Sequence, residues 1–174
     1  MNILIVYASR GGVSKRCAEL LAGEIAVKHT ATLVDCRKEN IPAPTEFDAV
    51  IIGSSVRMEH IDRRIRKYVK TNLDALSSMP CAVFLCCGFT RLFSEYAESL
   101  FPRHFQPSLG FHLFGGELKP EKLRGFDKIV VALIRNSIKT QDFEEDDRDH
   151  HDLPEIIPEN ISLLAAEINR IGNK

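Results

Sequence analysis

Five short apolar runs constrain this chain more than any other feature: residues 3–7 (ILIVY), 31–35 (ATLVD), 49–53 (AVIIG), 81–87 (CAVFLCC) and 111–115 (FHLFG). Most are continuously apolar rather than alternating, which marks strands covered on both faces, the condition of a parallel sheet between helix layers. Between them, apolar residues recur at helical spacing. Residues 13–28 place Cys17, Leu20, Leu21 and Ile25 on one face, and 60–73 do the same with Ile61, Ile65, Tyr68 and Val69. Further helical patterns cover part of 90–105, then 127–139 and 157–171. The order β-α-β-β-α-β-α-β-α predicts an α/β fold with helices on both faces of a parallel sheet. A loop around Pro42 and Pro44 stands where a helix between the second and third strands would otherwise be.

The 174 residues read as one domain, 1–174, large enough to bury about 70% of the unfolded surface. A formal net charge of −1 gives no general attraction to nucleic acid and allows at most peripheral membrane contact. The first residues lack a charged leader, and no apolar stretch is long enough to span a bilayer. Cysteines at 17, 36, 81, 86 and 87 are odd in number and form no CxxC pair, so reduced thiols and a cytoplasmic location are expected. The one biased segment is 142–152 (DFEEDDRDHHD), with seven acids against one arginine, and it reads as a solvated connection.

The first strand runs into "YASRGGVSK", and this junction carries the chemistry. Gly11 and Gly12 permit a tight turn that brings backbone N–H groups together at the start of a helix, where unpaired amides and the positive dipole end favour an anion. Ser9 and Ser14 add hydroxyls, so the loop suits a phosphate with three oxygens to satisfy. A dinucleotide fingerprint would need GxGxxG, and a P-loop would need GxxxxGK followed by Ser or Thr; neither is present. A cysteine phosphatase would need its nucleophile inside the loop, whereas Cys17 falls within the helix, and a receiver domain would need acids after the first strand. The alternative is a glycine-rich turn with a serine cap and no ligand.

Together, "IVYASRGGVSKRCAELLA" resembles the phosphate-binding opening of the flavodoxin-like family, with Ser9, Gly12 and Ser14 at its matching positions. Gly11 stands where that family usually has a second hydroxyl, and Arg10 and Val13 occupy its variable places. The likeness extends over nearly the whole chain, through "FDAVIIGSSVRMEHIDRRIRKYVK" and "MPCAVFLCCG". It is nearest to the menaquinone-dependent protoporphyrinogen dehydrogenase branch, which shares the order Ser55, Arg57, His60 and the "SSMP" before the fourth strand. The resemblance implies a three-layer sandwich with strand order 2-1-3-4-5 that binds FMN noncovalently. It places the phosphate on Ser9, Arg10, Gly11, Gly12, Val13 and Ser14, and the ring between Ser54, Ser55, Val56, Arg57, Met58 and, from the next loop, Gly88, Phe89 and Thr90. That branch carries a long basic insertion after strand four. Here "GFTRLFSEYAESLFPRHF" reads as an ordinary loop and helix, so FMN binding carries over and porphyrinogen oxidation does not.

Without any Trp, the ring's apolar contacts fall to Val56, Met58 and Phe89, each of which could equally be packing. Arg57 and His60 are the candidate catalytic residues. A cation about 5 Å from a reduced, anionic flavin contributes up to ~3 kcal/mol at an effective dielectric of about 20. The alternative for Arg57 is pairing with Glu59 or Asp62. Many flavodoxins carry in this loop a glycine whose peptide flips to favour one-electron chemistry, so the resemblance, with no glycine at 54–59, implies two-electron transfer instead. Cys86 and Cys87, as neighbours, suit packing better than a strained disulfide, and His150 and His151 lack a preorganised metal geometry. From Arg57 to Lys70, six positive charges face two negative ones, a local excess of four; this is either a solvated face or a surface for an acidic partner, an anionic quinone-bearing membrane or a carboxylated substrate.

The expected function is therefore an FMN-binding redox protein, a carrier or an oxidoreductase acting with a redox partner protein, a quinone or a small-molecule substrate. The alternatives are a protoporphyrinogen IX dehydrogenase with a quinone acceptor and a phosphate-binding interaction module without flavin.

Overall fold

Strand β1 (Asn2–Ala8) is buried from Ile3 onward and is bonded along both edges. The computed structural model describes residues 1–88, 90–116 and 155–171. On one side β1 pairs in parallel with β2 (Thr30–Asp35), in the register Val6 to Val34. On the other it pairs with β3 (Ala49–Ser55), Ala8 lying opposite Ser54. β4 (Cys81–Cys86) continues the sheet beyond β3, and β5 (Phe111–Leu113) beyond β4, all in parallel. The order β2-β1-β3-β4-β5 is the expected one.

Because successive side chains point to opposite faces, the continuous apolar strands feed two separate cores. Ile3, Ile5 and Tyr7 pack with Cys17, Leu21 and Ile25 of α1 (Val13–Ile25) and with Leu164 and Ile168 of α5 (Pro158–Ile171). Leu4 and Val6 face α2 (Arg63–Thr71), α3 (Leu73–Ser77) and α4 (Phe93–Ser99), meeting Ile65, Val69, Leu76 and Tyr96. Cys86 belongs to the first core and Cys87 to the second, which explains two adjacent cysteines as packing on opposite faces.

Local chemistry corrects three expected boundaries. The helix expected over 60–73 begins only at Arg63, because Asp62 caps it by accepting the Arg64 N–H at 3.0 Å and 57–60 is spent on a turn. It breaks at Asn72, whose side chain donates to the Tyr68 carbonyl at 2.9 Å before α3 starts. β5 stops at Leu113 rather than Gly115, since Gly115 has φ +75° and bridges to Ile156. Between β2 and β3 one 3-10 turn, Pro44–Glu46, does replace a helix; Glu46 accepts the Ala43 N–H at 3.0 Å. The helical pattern at 127–139 and the acidic run 142–152 lie outside the described residues.

Gly53 lets two layers approach. The Phe84 ring lies across it, stacked on Phe114 with centroids 4.6 Å apart, and a Cβ on Gly53 would sit 2.0 Å from the ring carbon Cζ. Gly53→Ala is expected to cost about 1–3 kcal/mol by overpacking, read from urea unfolding midpoints, with part of the loss recovered in Gly53→Ala/Phe84→Leu. An unchanged midpoint for the single variant would contradict this packing.

Candidate functional site

In a parallel sheet every strand's carboxyl end lies on one rim, so the loops after β1, β3 and β4 leave side by side. The register lines them up, Ala8 opposite Ser54 and Ser55 opposite Cys86.

The loop after β1 is built around Gly12, whose φ of +93° is left-handed backbone that favours glycine. Its N–H donates to Ser9 Oγ at 3.1 Å, and its carbonyl accepts the first helical bond, from Arg16, at 2.9 Å. The N–H groups of Val13, Ser14 and Lys15 therefore precede the first helical bond of α1. No acid stands in that first turn, while Arg10, Lys15 and Arg16 are exposed around it. Gly11 is exposed and a Cβ there would meet nothing within 4 Å.

Ser14 sits differently from Ser9. It is 1% exposed and its Oγ makes no hydrogen bond. The Cys86 thiol beside it is a weak partner, and the Cys86 sulfur lies 3.7 Å from that of Cys17. The bond to Cys17 and burial push the Cys86 thiol well above its ordinary range, and burial, before the nearby Asp62, pushes Cys36 up to about 12. All five cysteines are buried and none is in a disulfide, so they read as packing groups rather than accessible nucleophiles. A buried hydroxyl without a partner is costly. An oxyanion on the loop is the kind of group that would resolve it.

The loop after β3 holds the strain. Ser54, also 1% exposed, donates to the Ser55 carbonyl at 3.2 Å and accepts the Asp62 N–H at 3.3 Å. Val56 extends the ladder by donating to the Cys86 carbonyl at 2.9 Å. Arg57 and His60 then exchange backbone bonds of 2.9 and 3.0 Å, closing a two-residue hairpin with Met58 at φ 48° and Glu59 at φ 59°. Such turns are usually filled by Asn and Gly. His60 Nδ1 donates to the Met58 carbonyl at 2.6 Å, which fixes its proton on that nitrogen and ties the imidazole to the turn. Met58 is 67% exposed, a large apolar side chain held out at the rim. Ser55, Val56 and Arg57 are half-buried.

One tie was not legible from spacing. Arg37, just past β2, donates to Asp62 at 2.6 Å, joining the β2 end to the β3 loop. Asp62 also faces Arg64 at 3.9 Å, so its ion-pair partners are Arg37 and Arg64 rather than Arg57. Partial burial pushes the Asp62 carboxyl up, but the Arg64 N–H, the Arg37 bond and the two guanidinium charges outweigh it and hold the group below its ordinary value. The sequence pattern runs the helix back to residue 60, so it reveals neither Asp62 as the cap nor Arg37, 25 residues earlier, as that cap's partner.

The loop after β4 brings Gly88, half-buried, and Thr90, exposed at the start of a 3-10 turn, to the same rim. Phe89 lies outside the described residues. Beside this loop, a Cβ on Gly116 would come within 2.6 Å of the Cys87 carbonyl oxygen. A depression of about 510 Å³ opens at the opposite, amino end of the sheet, lined by Met1, Asn2, His29 and Asp48 among others. No strand there feeds a helix N-terminus, so it lacks the donors of the carboxyl rim. Among the described residues no cluster of His, Cys, Asp and Glu could hold a metal, and no helix is long and apolar enough to cross a membrane. His150 and His151 fall outside the described residues.

Comparison with known proteins agrees with this geometry. The family described as "Flavodoxin domain" matches residues 4–146. Protoporphyrinogen IX dehydrogenase (quinone) of Escherichia coli strain K12 is 29% identical over 143 residues, covering 77% of this chain and 78% of that protein. The protein of the same name from Leishmania major is 29% identical over 141 residues, covering 75% and 61%. Among solved structures, a Streptococcus pneumoniae TIGR4 flavodoxin superposes with a TM-score of 0.52 at 14% identity, covering 98% of this chain and 99% of that one. Rubredoxin oxygen:oxidoreductase of Desulfovibrio gigas gives 0.56 at 13% identity; 98% of this chain corresponds to 35% of it. At these identities the structures speak for the fold.

Two outcomes test the rim. A non-glycine residue in left-handed backbone costs about 1–2 kcal/mol and glycine's own entropy returns part of that, so Glu59→Gly should stabilise the chain by roughly 0.5–1 kcal/mol in urea unfolding. The Asp62 carboxyl is depressed in the folded state, so its contribution is present above the ordinary carboxylate range and is lost as pH falls through the folded value. Asp62→Asn should lower stability at neutral pH and flatten its decline below about pH 4; an unaltered acid limb would count against the Arg37–Asp62 tie.

Proposed function

The chain belongs to the flavodoxin domain family, and from that premise we propose that it binds FMN noncovalently at the carboxyl rim of its sheet and acts as a redox protein. The observation that carries the reading is the Ser14 hydroxyl, buried in the first turn of α1 with no partner better than the weak Cys86 thiol, next to a turn whose amides precede the first helical bond.

In this reading the N–H groups of Gly11, Val13 and Ser14 bind the phosphate, and Ser14 Oγ gains the partner it lacks. Ser9 already accepts the Gly12 N–H, which leaves its own hydroxyl proton to donate outward. Arg10 and the α1 dipole add positive charge. Met58 and Val56 supply apolar wall on one side of the ring; Gly88, Thr90 and, by the sequence pattern, Phe89 supply the other. Ser54, Ser55 and the His60-tied turn hold that wall in place, and Arg57 favours negative charge on the ring. FMN so bound supplies one- and two-electron redox chemistry. The partner is a redox protein, a quinone or a small-molecule substrate.

A second reading is favoured by the curated relatives named protoporphyrinogen IX dehydrogenase (quinone). There the chain would pass two electrons from a porphyrinogen to a quinone, with Arg57 and His60 as the candidate catalytic residues. Against it stands the segment after β4, whose described residues form a 3-10 turn and the short α4 where that branch usually carries a basic insertion. Anaerobic addition of protoporphyrinogen, with flavin absorbance as the readout, separates the two. A phosphate-binding module without flavin predicts a colourless protein that ignores added FMN.

Ser14→Ala tests the reading in two directions at once. Deleting an unsatisfied buried hydroxyl should stabilise the flavin-free chain by about 1 kcal/mol. The same change should weaken FMN binding roughly ten- to hundredfold, followed by quenching of flavin fluorescence. Unchanged FMN affinity would remove Ser14 from the site, and a wild-type chain that fails to bind FMN would end the proposal.

A further inference from the structure

Helix α2 carries charge that the described residues around it do not balance. Arg63, Arg66, Lys67 and Lys70 fall at i, i+3, i+4 and i+7 and are all exposed, while Ile65, Tyr68 and Val69 turn into the core. The helix, RRIRKYVKT, contains no acid. Arg63 with Lys67, and Arg66 with Lys70, are like-charge pairs at i, i+4, an arrangement that destabilises a helix. The acid just before it, Asp62, is engaged by Arg37 and Arg64. Among the described residues none of the four stripe cations has an ion pair within 4.0 Å. The chain as a whole has a net charge of −1, so the stripe is not a sample of a generally basic surface.

We propose that this cationic face of α2 is the docking surface for an acidic protein partner. The stripe runs about 10 Å along the helix, a length matched by acids spaced one helical turn apart on a partner helix. A membrane fits less well. Interfacial helices need an exposed apolar face, and here that face is buried; the exposed large hydrophobics, Leu20, Val27, Met58 and Leu163, all lie off α2. Single-stranded nucleic acid would call for exposed aromatics among the cations, and Tyr68 is 6% exposed. The stripe begins three residues after His60, at the rim given above to the flavin ring, so the docked partner would sit beside that rim. That the partner exchanges electrons rests on the FMN reading; that it binds does not.

The test uses the full chain, without and with FMN, and a fluorescein-labelled ten-residue oligoglutamate read by anisotropy. Binding is expected at low salt, weakening as salt rises, with the same affinity whether or not FMN is added. Arg66→Glu/Lys70→Glu should weaken it by about tenfold or more, whereas Lys28→Glu, at the far end of the sheet, should leave it unchanged. Equal FMN affinity and unfolding midpoint in the double variant would show that only docking was lost. Absence of low-salt binding, or binding indifferent to the double reversal, would overturn the proposal. Tighter, reversal-sensitive binding to phosphatidylglycerol vesicles would overturn it in favour of a membrane, and salt-sensitive self-association abolished by the reversal would do so in favour of a second copy. Peptide binding by a chain that ignores FMN would leave the docking surface standing and remove the flavin.

Discussion

Hydrogen bonds along both edges of β1 govern the rest of the architecture. With β2 on one side and β3 on the other, the strand order reverses at β1. The chain leaving β1 crosses one face as α1, and the chain leaving β3 crosses the other as α2. Their loops must part at the carboxyl rim, and the place where they part is where doubly wound sheets bind ligands. Gly12 completes the arrangement: its left-handed backbone lets β1 turn into α1 with the helix amides gathered at the loop.

Several departures from ordinary local chemistry stand at or beside this rim, although buried polar atoms without a partner also occur at His29, Tyr68 and Asn169 and an exposed apolar side chain at Val27. The sheet beneath has apolar strands, parallel registers and buried thiols. The rim has two non-glycine residues in left-handed backbone, a buried serine hydroxyl without a partner and an exposed methionine; α2 adds like charges stacked along one helix. Among the described residues, the non-glycine residues in left-handed backbone are confined to this rim, and such conflicts between sequence and fold are expected at functional sites.

The sheet was legible because burial on both faces leaves a plain trace: continuous apolar runs such as ILIVY and CAVFLCC need no partner information to be read as strands. The tight β1–α1 turn was legible for a similar reason, since paired glycines at a strand-to-helix junction mark left-handed backbone; its use as a phosphate site is a proposal. The 57–60 hairpin was not. Its central residues, Met58 and Glu59, are not turn formers, and the bonds between Arg57 and His60 and the imidazole on the Met58 carbonyl help to hold it, so the sequence pattern reads as a helix beginning at His60. The Arg37–Asp62 tie depends on bringing the β2 and β3 ends together, which spacing along the chain does not reveal. Ser14 was readable as part of the loop, but not that its hydroxyl is buried rather than exposed. The functional reading inherits this division, with the fold and family firm and the chemistry resting on the rim.

Comparing FMN with riboflavin in binding to the purified chain tests the central claim most directly, because the two ligands share the ring and differ in the phosphate. If the β1–α1 loop is the anchor, FMN should bind about a hundredfold or more tighter, a difference of ~3 kcal/mol or more, as expected for several charge-assisted bonds. Equal affinities, or riboflavin the tighter of the two, would contradict the account.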